Sequence, residues 1–165
     1  VVYQERGDAL LDAMASALQL ARASSWHAQR DSLCEFTNWL AMISSILGKM
    51  GSDILVMGQS EINEVTENAE GGGKSSAMPH KNNPILSEAL VAFAKLNAGL
   101  QSQMLLSMIH SNERDATAWI LEWNCIPQML INTCTALKHA LTISSKIHVN
   151  MDRMKKNVER FKNKE

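Results

Sequence analysis

Residues 31–57 read DSLCEFTNWLAMISSILGKMGSDILVM, and this stretch decides the fold. Leu33, Phe36, Leu40, Ile43, Leu47, Met50, Ile54 and Met57 alternate spacings of three and four without a break, a strict heptad repeat. A helix of that span is roughly 40 Å long at about 1.5 Å per residue. Such a rod buries its stripe only against other long helices, so an all-α bundle is expected. Gly48 and Gly51 stand inside it. Each costs about 1 kcal/mol relative to Ala in a helix interior, which calls for a close helix–helix contact there.

The rest of the chain agrees with helices. It has 165 residues, ten Met and a single Tyr. That is one domain's worth of chain with a composition suited to packed helices. The net charge of −1 gives no case for nucleic acid or a membrane surface as partner. Cys34, Cys125 and Cys134 lack CxxC spacing and fall in helical patterns, so buried free thiols in a reducing, cytoplasmic compartment are expected. No continuous apolar run approaches the ~20 residues of a membrane span. Val1–Glu5 lacks the basic and apolar regions of a signal peptide and lacks an initial Met, so the chain reads as the interior of a longer protein.

Outward from the repeat, Gly7, Leu11, Met14, Leu18 and Ala21 mark one helix face over about 4–23, interrupted at Ser24 and Ser25. Asp31 or Ser32 is the expected cap of the second helix. Periodicity stops over 59–84, where Glu61, Glu64, Glu67 and Glu70 read as a solvated acidic stretch ahead of Gly71, Gly72 and Gly73. A third helix is expected from Pro84 with Asn83 as N-cap. Its stripe carries one polar interruption, Asn97, and fades near His110–Asn112. A fourth runs over about 117–145 with a kink expected at Pro127, and a short fifth starts near Met151. No strand pattern appears.

The segment KSSAMPHKNNP, residues 74–84, carries the chemistry. A helix N-terminus presents free N–H groups and a positive dipole end, a natural seat for a carboxylate. Lys81 adds a charge and Asn83 an amide donor beside it. Ser75 and Ser76 lie far enough upstream to fold over the same ligand, and the three glycines supply the hinge of a lid. A serine becomes a base only when its environment lowers its pKa, which Lys81 and backbone amides can do once water is excluded. By composition alone the same loop reads more readily as a linker than as a site. His27 and His80 read equally as ordinary polar loop residues. The five His are scattered without HxxxH or Cys/His spacing, so no metal site is expected.

Ser75–Pro84 resembles the signature S-S-x-M-P-x-K-x-N-P of the fumarase/aspartase superfamily, with Lys74 where that family has Gly. Trp26–Asp31 with Glu35 and Phe36 resembles the W-H-x-Q-R-D…E-F of the 3-carboxy-cis,cis-muconate cycloisomerases. Gln59, Glu61 and Glu64, then Glu113 and Arg114 with Trp119, Glu122, Trp123 and Pro127, then Met154–Val158, are similar to further stretches of those enzymes. Asn112 stands where they have His. Adenylosuccinate lyases share the loop and the E-R-D but not the W-x-x-E-W.

The resemblance implies the central helical-bundle region, residues 1–165, of a longer enzyme. It implies a homotetramer of long helices with active sites shared between subunits, acting on a small di- or tricarboxylate without a cofactor. The implied reaction moves a proton next to a carboxylate. In the cycloisomerases, enzymes of aromatic (protocatechuate) catabolism, it closes a lactone. By position Ser75 matches the catalytic serine, with Ser76 as the fallback. Lys81 and Asn83 match the carboxylate binders and Met78 lines the pocket. Gln29, His27 and Arg114 match substrate contacts from other parts of the site. An adenylosuccinate lyase or related dicarboxylate lyase is the alternative, and a non-catalytic helical oligomerisation core is the second. The 165 residues alone are expected to be inactive.

Overall fold

The structure, a computed structural model, describes residues 3–23, 27–67 and 83–162. The heptad stretch folds as one helix, α2 (Asp31–Met57); the short α1 (Gly7–Leu18) precedes it. Helix α3 (Ile85–Ser107) runs antiparallel to α2, and α4 (Ala116–Lys146) packs against both. The chain closes with α5 (Met151–Lys162).

The buried seam of α2 is not the heptad stripe but the line beside it. Cys34, Thr37, Ala41, Ser44, Gly48 and Gly51 also alternate three and four, and all are buried. Of the heptad positions, Leu40 and Ile54 are buried, Phe36 is exposed, and the others are half-buried. Small residues let backbones approach; larger ones must splay to the flanks. The two glycines confirm this. A Cβ on Gly48 would lie 2.5 Å from the Ala94 Cβ, and one on Gly51 would lie 2.6 Å from the Ser87 carbonyl oxygen.

Two apolar layers fill the bundle. One joins Cys34, Leu40, Ala41, Met104, Cys125 and Met129. The other joins Ile54, Val65, Leu90, Ala136, Ala140 and Ile143. Between them lies a polar layer. The Asn97 amide donates to Ser44 Oγ at 2.7 Å and Thr133 Oγ1 at 3.0 Å, while its carbonyl accepts from the Asn132 amide at 3.0 Å. The polar interruption in the third stripe is thus a fully buried hub joining three helices. Such a network rigidifies a core when every member is satisfied.

Several expectations are corrected. The first helix ends at Leu18, not near 23, because Gln19 turns left-handed (φ 55°) and Arg22 folds back onto Asp8 at 2.6 Å and Asp12 at 3.2 Å. No side chain of α1 is buried. Neither Asp31 nor Ser32 caps α2; Arg30 holds the cap position, and its side chain makes no capping bond to the helix. Pro127, by contrast, lies inside α4 as expected. A two-residue antiparallel pair, β1 (Val65–Thr66) and β2 (His148–Val149), is too short to leave an alternating pattern. Cys134 is exposed while Cys34 and Cys125 are buried, because it falls on the outer face of α4. Taken as a whole, α2 is long and apolar enough to cross a membrane, although Glu35, Lys49 and Asp53 break every continuous run. Here it buries its small-residue seam against α3 and α4.

Large apolar side chains also stay outside. Trp39, Met42 and Ile46 of α2, Leu96 and Leu105 of α3, and Ile131 and Leu141 of α4 are all more than half exposed. Trp39, Met42 and Ile46, spaced three and four apart, share one outer face of α2.

Candidate active site

Ser75, Ser76, Met78 and Lys81 lie outside the described residues. The chain re-enters them at Asn83, which is half-buried just before α3. The start of that helix differs from expectation. Pro84 holds the cap position and offers no side-chain cap. The cap comes from Glu67, across the signature. Its carboxylate accepts from the Leu86 N–H at 3.0 Å, the Ser87 N–H at 2.8 Å and the Ser87 hydroxyl at 2.6 Å. Glu67 is only 4% exposed, so it is not part of a solvated acidic stretch. The helix terminus expected to hold a substrate carboxylate already holds the protein's own. Among the described residues, Asn83 is the candidate donor left beside it.

Segment 58–67, which delivers Glu67, is itself anchored. The Asn150 N–H donates to the Glu64 carbonyl at 2.8 Å, and the Asn157 amide donates to the Glu64 carboxylate at 2.8 Å. The Arg153 guanidinium reaches the Ile62 carbonyl at 3.1 Å. Asn63 takes the left-handed conformation (φ 50°), which Asn tolerates well.

The other candidates sit at the far end of the bundle. His27 and Gln29 are exposed at the entry to α2. Arg30 behind them is buried and paired with Glu122 of α4, and its guanidinium also donates to the Gln29 carbonyl at 3.0 Å. Removing one partner of such a buried pair strands a charge, at a cost of about 3–5 kcal/mol. The pair therefore seats the His27–Gln29 turn on α4. Beside it lies a largely apolar cavity of about 830 Å³, walled by Leu11, Met14 and Leu18 of α1, His27, Trp119 and Trp123. Trp119 and Trp123 lie with ring centroids 6.2 Å apart, and Trp123 is exposed, so this pair is a cavity wall and not core. Burial, with the Glu122 and Asp31 carboxylates behind it, pushes the Cys34 thiol up, which keeps it protonated and unsuited to thiolate chemistry.

Arg114 is exposed in the connector between α3 and α4, at this same end. The next residue, Asp115, fixes the connector. Its carboxylate accepts from the Ser111 N–H at 2.9 Å and from the Thr117 N–H at 2.9 Å, capping α4. The Ser111 bond is the main cause that holds the Asp115 carboxyl below its usual range. Asn112, where the resembling enzymes have His, sits at φ 58°, a conformation that suits Asn.

The structure thus brings His27, Gln29 and Arg114 to one end and Asn83 to the other. The 23 residues of α3 separate those ends by roughly 35 Å at about 1.5 Å per residue. Sequence reading missed Glu67, Arg30 and Glu122 as supports. The sequence held no signal for Glu67, because Asn83 ahead of Pro84 reads as a competent cap, and only the structure shows Pro84 in that position. Nothing in the sequence pairs Arg30 with Glu122, which lie 92 positions apart.

Known proteins resemble this chain in sequence and share its fold. A family model described as lyase matches residues 8–96. The chain is 37% identical over 158 residues to the 3-carboxy-cis,cis-muconate cycloisomerase of Acinetobacter baylyi, covering 94% of this chain and 35% of that protein. It is 38% identical over 148 residues to the enzyme of the same name from Pseudomonas aeruginosa, covering 88% of this chain and 32% of that one. Its fold matches the 3-carboxy-cis,cis-muconate lactonizing enzyme from Pseudomonas putida with a TM-score of 0.85 and 35% identity, over 93% of this chain and 35% of that one. The chain therefore spans about a third of the length of these relatives. With its all-α bundle, its signature loop and more than half its length matched, the chain belongs to the lyase family of the fumarase/aspartase superfamily.

Proposed function

We propose that this chain is the central helical part of a 3-carboxy-cis,cis-muconate cycloisomerase that works as a homotetramer in the cytoplasm. The observation that carries the shared-site part of this reading is the separation of the candidate residues. Asn83 lies at one end of the bundle and His27, Gln29 and Arg114 at the other. Antiparallel neighbours would bring opposite ends of different copies together, and the exposed large apolar side chains of α2, α3 and α4 supply surface for it. The names of the relatives supply the substrate.

In the proposed reaction one carboxylate oxygen of the substrate adds to a carbon–carbon double bond and closes the lactone. The neighbouring carbon takes up a proton, so the product is an isomer of the substrate. Ser75 delivers that proton in the closing direction and recovers one from water before the next turnover; in ring opening it takes the proton from carbon and passes it to water. Lys81 and Asn83 hold the adjacent carboxylate, where charge accumulates as the bond forms. Gln29, His27 and Arg114 of another copy orient the remaining carboxylates, and Met78 packs against the carbon chain.

The test is Ser75→Ala in the full-length protein, assayed for lactonisation with the assembly mass measured alongside. Turnover should fall by at least a thousandfold with the mass unchanged. Unchanged turnover in both Ser75→Ala and the Ser75→Ala/Ser76→Ala double variant would remove serine from the mechanism. A stable full-length monomer at micromolar concentration would overturn the shared site.

A further inference from the structure

We infer that Glu67 is a positioning residue for this reaction, setting the place of Asn83 through the start of α3; the inference rests on the function proposed above. Most helices take their cap from the residue just before them. Here that residue is Pro84, which has no side-chain acceptor, and the cap crosses from Glu67 on the other side of the signature. A cap needed for stability alone is met by a Ser, Asp or Asn at the cap position that Pro84 holds. A long-range cap does something more: it ties the two ends of the signature segment to one point.

Both sides of that point are held. Ser87 is fully buried, and its carbonyl lies where a Cβ on Gly51 would come within 2.6 Å, so α2 presses on it directly. The Ser87 hydroxyl and N–H both donate to one oxygen of Glu67, and the Leu86 N–H donates to the other. Among the described residues no cationic side chain pairs with this carboxylate. The positive end of α3 is the counter-charge they provide. Asn83 follows from the clamp, because its carbonyl accepts from the Ile85 N–H at 2.9 Å, one residue before the clamped pair. The pairing Val65↔Val149 and the bonds from Arg153 and Asn157 to segment 61–64 then fix Glu67 to the α5 end of the fold.

The consequence concerns binding. Because Glu67 fills the helix terminus, a substrate carboxylate does not reach the Leu86 and Ser87 N–H groups. It is held outside the helix, with Asn83, whose place Glu67 sets, as one of its donors. An amide at position 67 keeps the shape but turns one of its two heads from acceptor to donor. It must face the Leu86 or Ser87 N–H wrongly, so the first turn shifts.

The experiment uses the full-length protein with Glu67→Gln, Glu67→Asp and Ser87→Ala. Lactonisation of 3-carboxy-cis,cis-muconate is measured well below each variant's Tm, with assembly mass and helical circular dichroism checked. Expected is a fall of about tenfold or more in kcat/KM for Glu67→Gln, carried mainly by a higher KM. Glu67→Asp should restore part of it, and Ser87→Ala should give a smaller loss in the same direction. A lower Tm with unchanged kcat/KM in both Glu67→Gln and Ser87→Ala would overturn the inference, leaving Glu67 a stability cap. An inactive wild type would instead overturn the proposed function, and this inference with it.

Discussion

The polar layer between the two apolar clusters can be tested by removing its hub. In Asn97→Ala the Ser44 and Thr133 hydroxyls keep their own acceptors, the carbonyls of Leu40 and Met129, each at 2.8 Å. They lose only an incoming donor. The Asn132 amide fares worse, since it loses the Asn97 carbonyl that it meets at 3.0 Å. One buried donor stranded in this way costs about 1–3 kcal/mol. With the small void left by the amide the expected loss is about 2–4 kcal/mol. Asn132→Ala strands the Asn97 carbonyl in turn, for about 1–3 kcal/mol. The double variant strands neither group, so it should cost less than the sum by about 1–2 kcal/mol. Urea unfolding followed by helical circular dichroism, at one fixed protomer concentration, measures all three. Additivity within about 0.5 kcal/mol would refute the reasoning, as would an Asn97→Leu variant more stable than wild type. Either result would mean that the layer merely tolerates polar groups.

Two further substitutions probe the helix contact and the α4 cap. Gly51→Ala gains about 1 kcal/mol of helix propensity but places a methyl 2.6 Å from a backbone oxygen that cannot swing away. A net loss of about 1–3 kcal/mol in urea unfolding is expected, and a stabilised variant would show that the helices are not in close contact there. The carboxyl of Asp115 is held below its usual value chiefly by the Ser111 N–H, so its contribution to stability is full above the ordinary carboxylate range. It is lost as pH falls through the lowered value. Asp115→Asn should therefore lower Tm most above roughly pH 5 and converge on wild type in stronger acid. A constant difference at every pH would rule out the charge as the cause.

The heptad repeat was legible because a seven-residue period over so long a stretch has one physical reading, a rod that must be covered. Which line of that rod is innermost was not legible. Hydrophobicity favours the line through Leu33 and Leu47, whereas close approach favours the line through Ser44, Gly48 and Gly51. The two lie side by side on the helix, and backbone contact decides between them. Asn97 likewise read as an interruption, since its partners come from α2 and α4 and leave no local trace. The signature residues stand out through the family pattern they match, and Ser75, Ser76, Met78 and Lys81 lie outside the described residues. The residues that support Asn83 and the His27–Gln29 turn carry no such mark. Glu67 looked like one more solvated acid until the far end of the signature was seen to begin without a cap.

The supports also bear on whether the bundle is a catalytic part or only an assembly core. An assembly core needs the small-residue seam, the two apolar layers and the exposed apolar side chains, and it needs nothing at the helix ends. This chain invests its costliest burials at those ends. Arg30 and Glu122 are an ion pair taken out of water to seat a turn whose outward side chains, His27 and Gln29, make no core. Glu67 is a carboxylate taken out of water to set the start of α3 beside Asn83. An apolar residue at any of these positions would avoid that desolvation. Two separate burials of charge, each next to residues that face outward, are understandable if the outward residues must be held in place for a ligand. They are hard to understand if the helix ends are merely where the bundle stops.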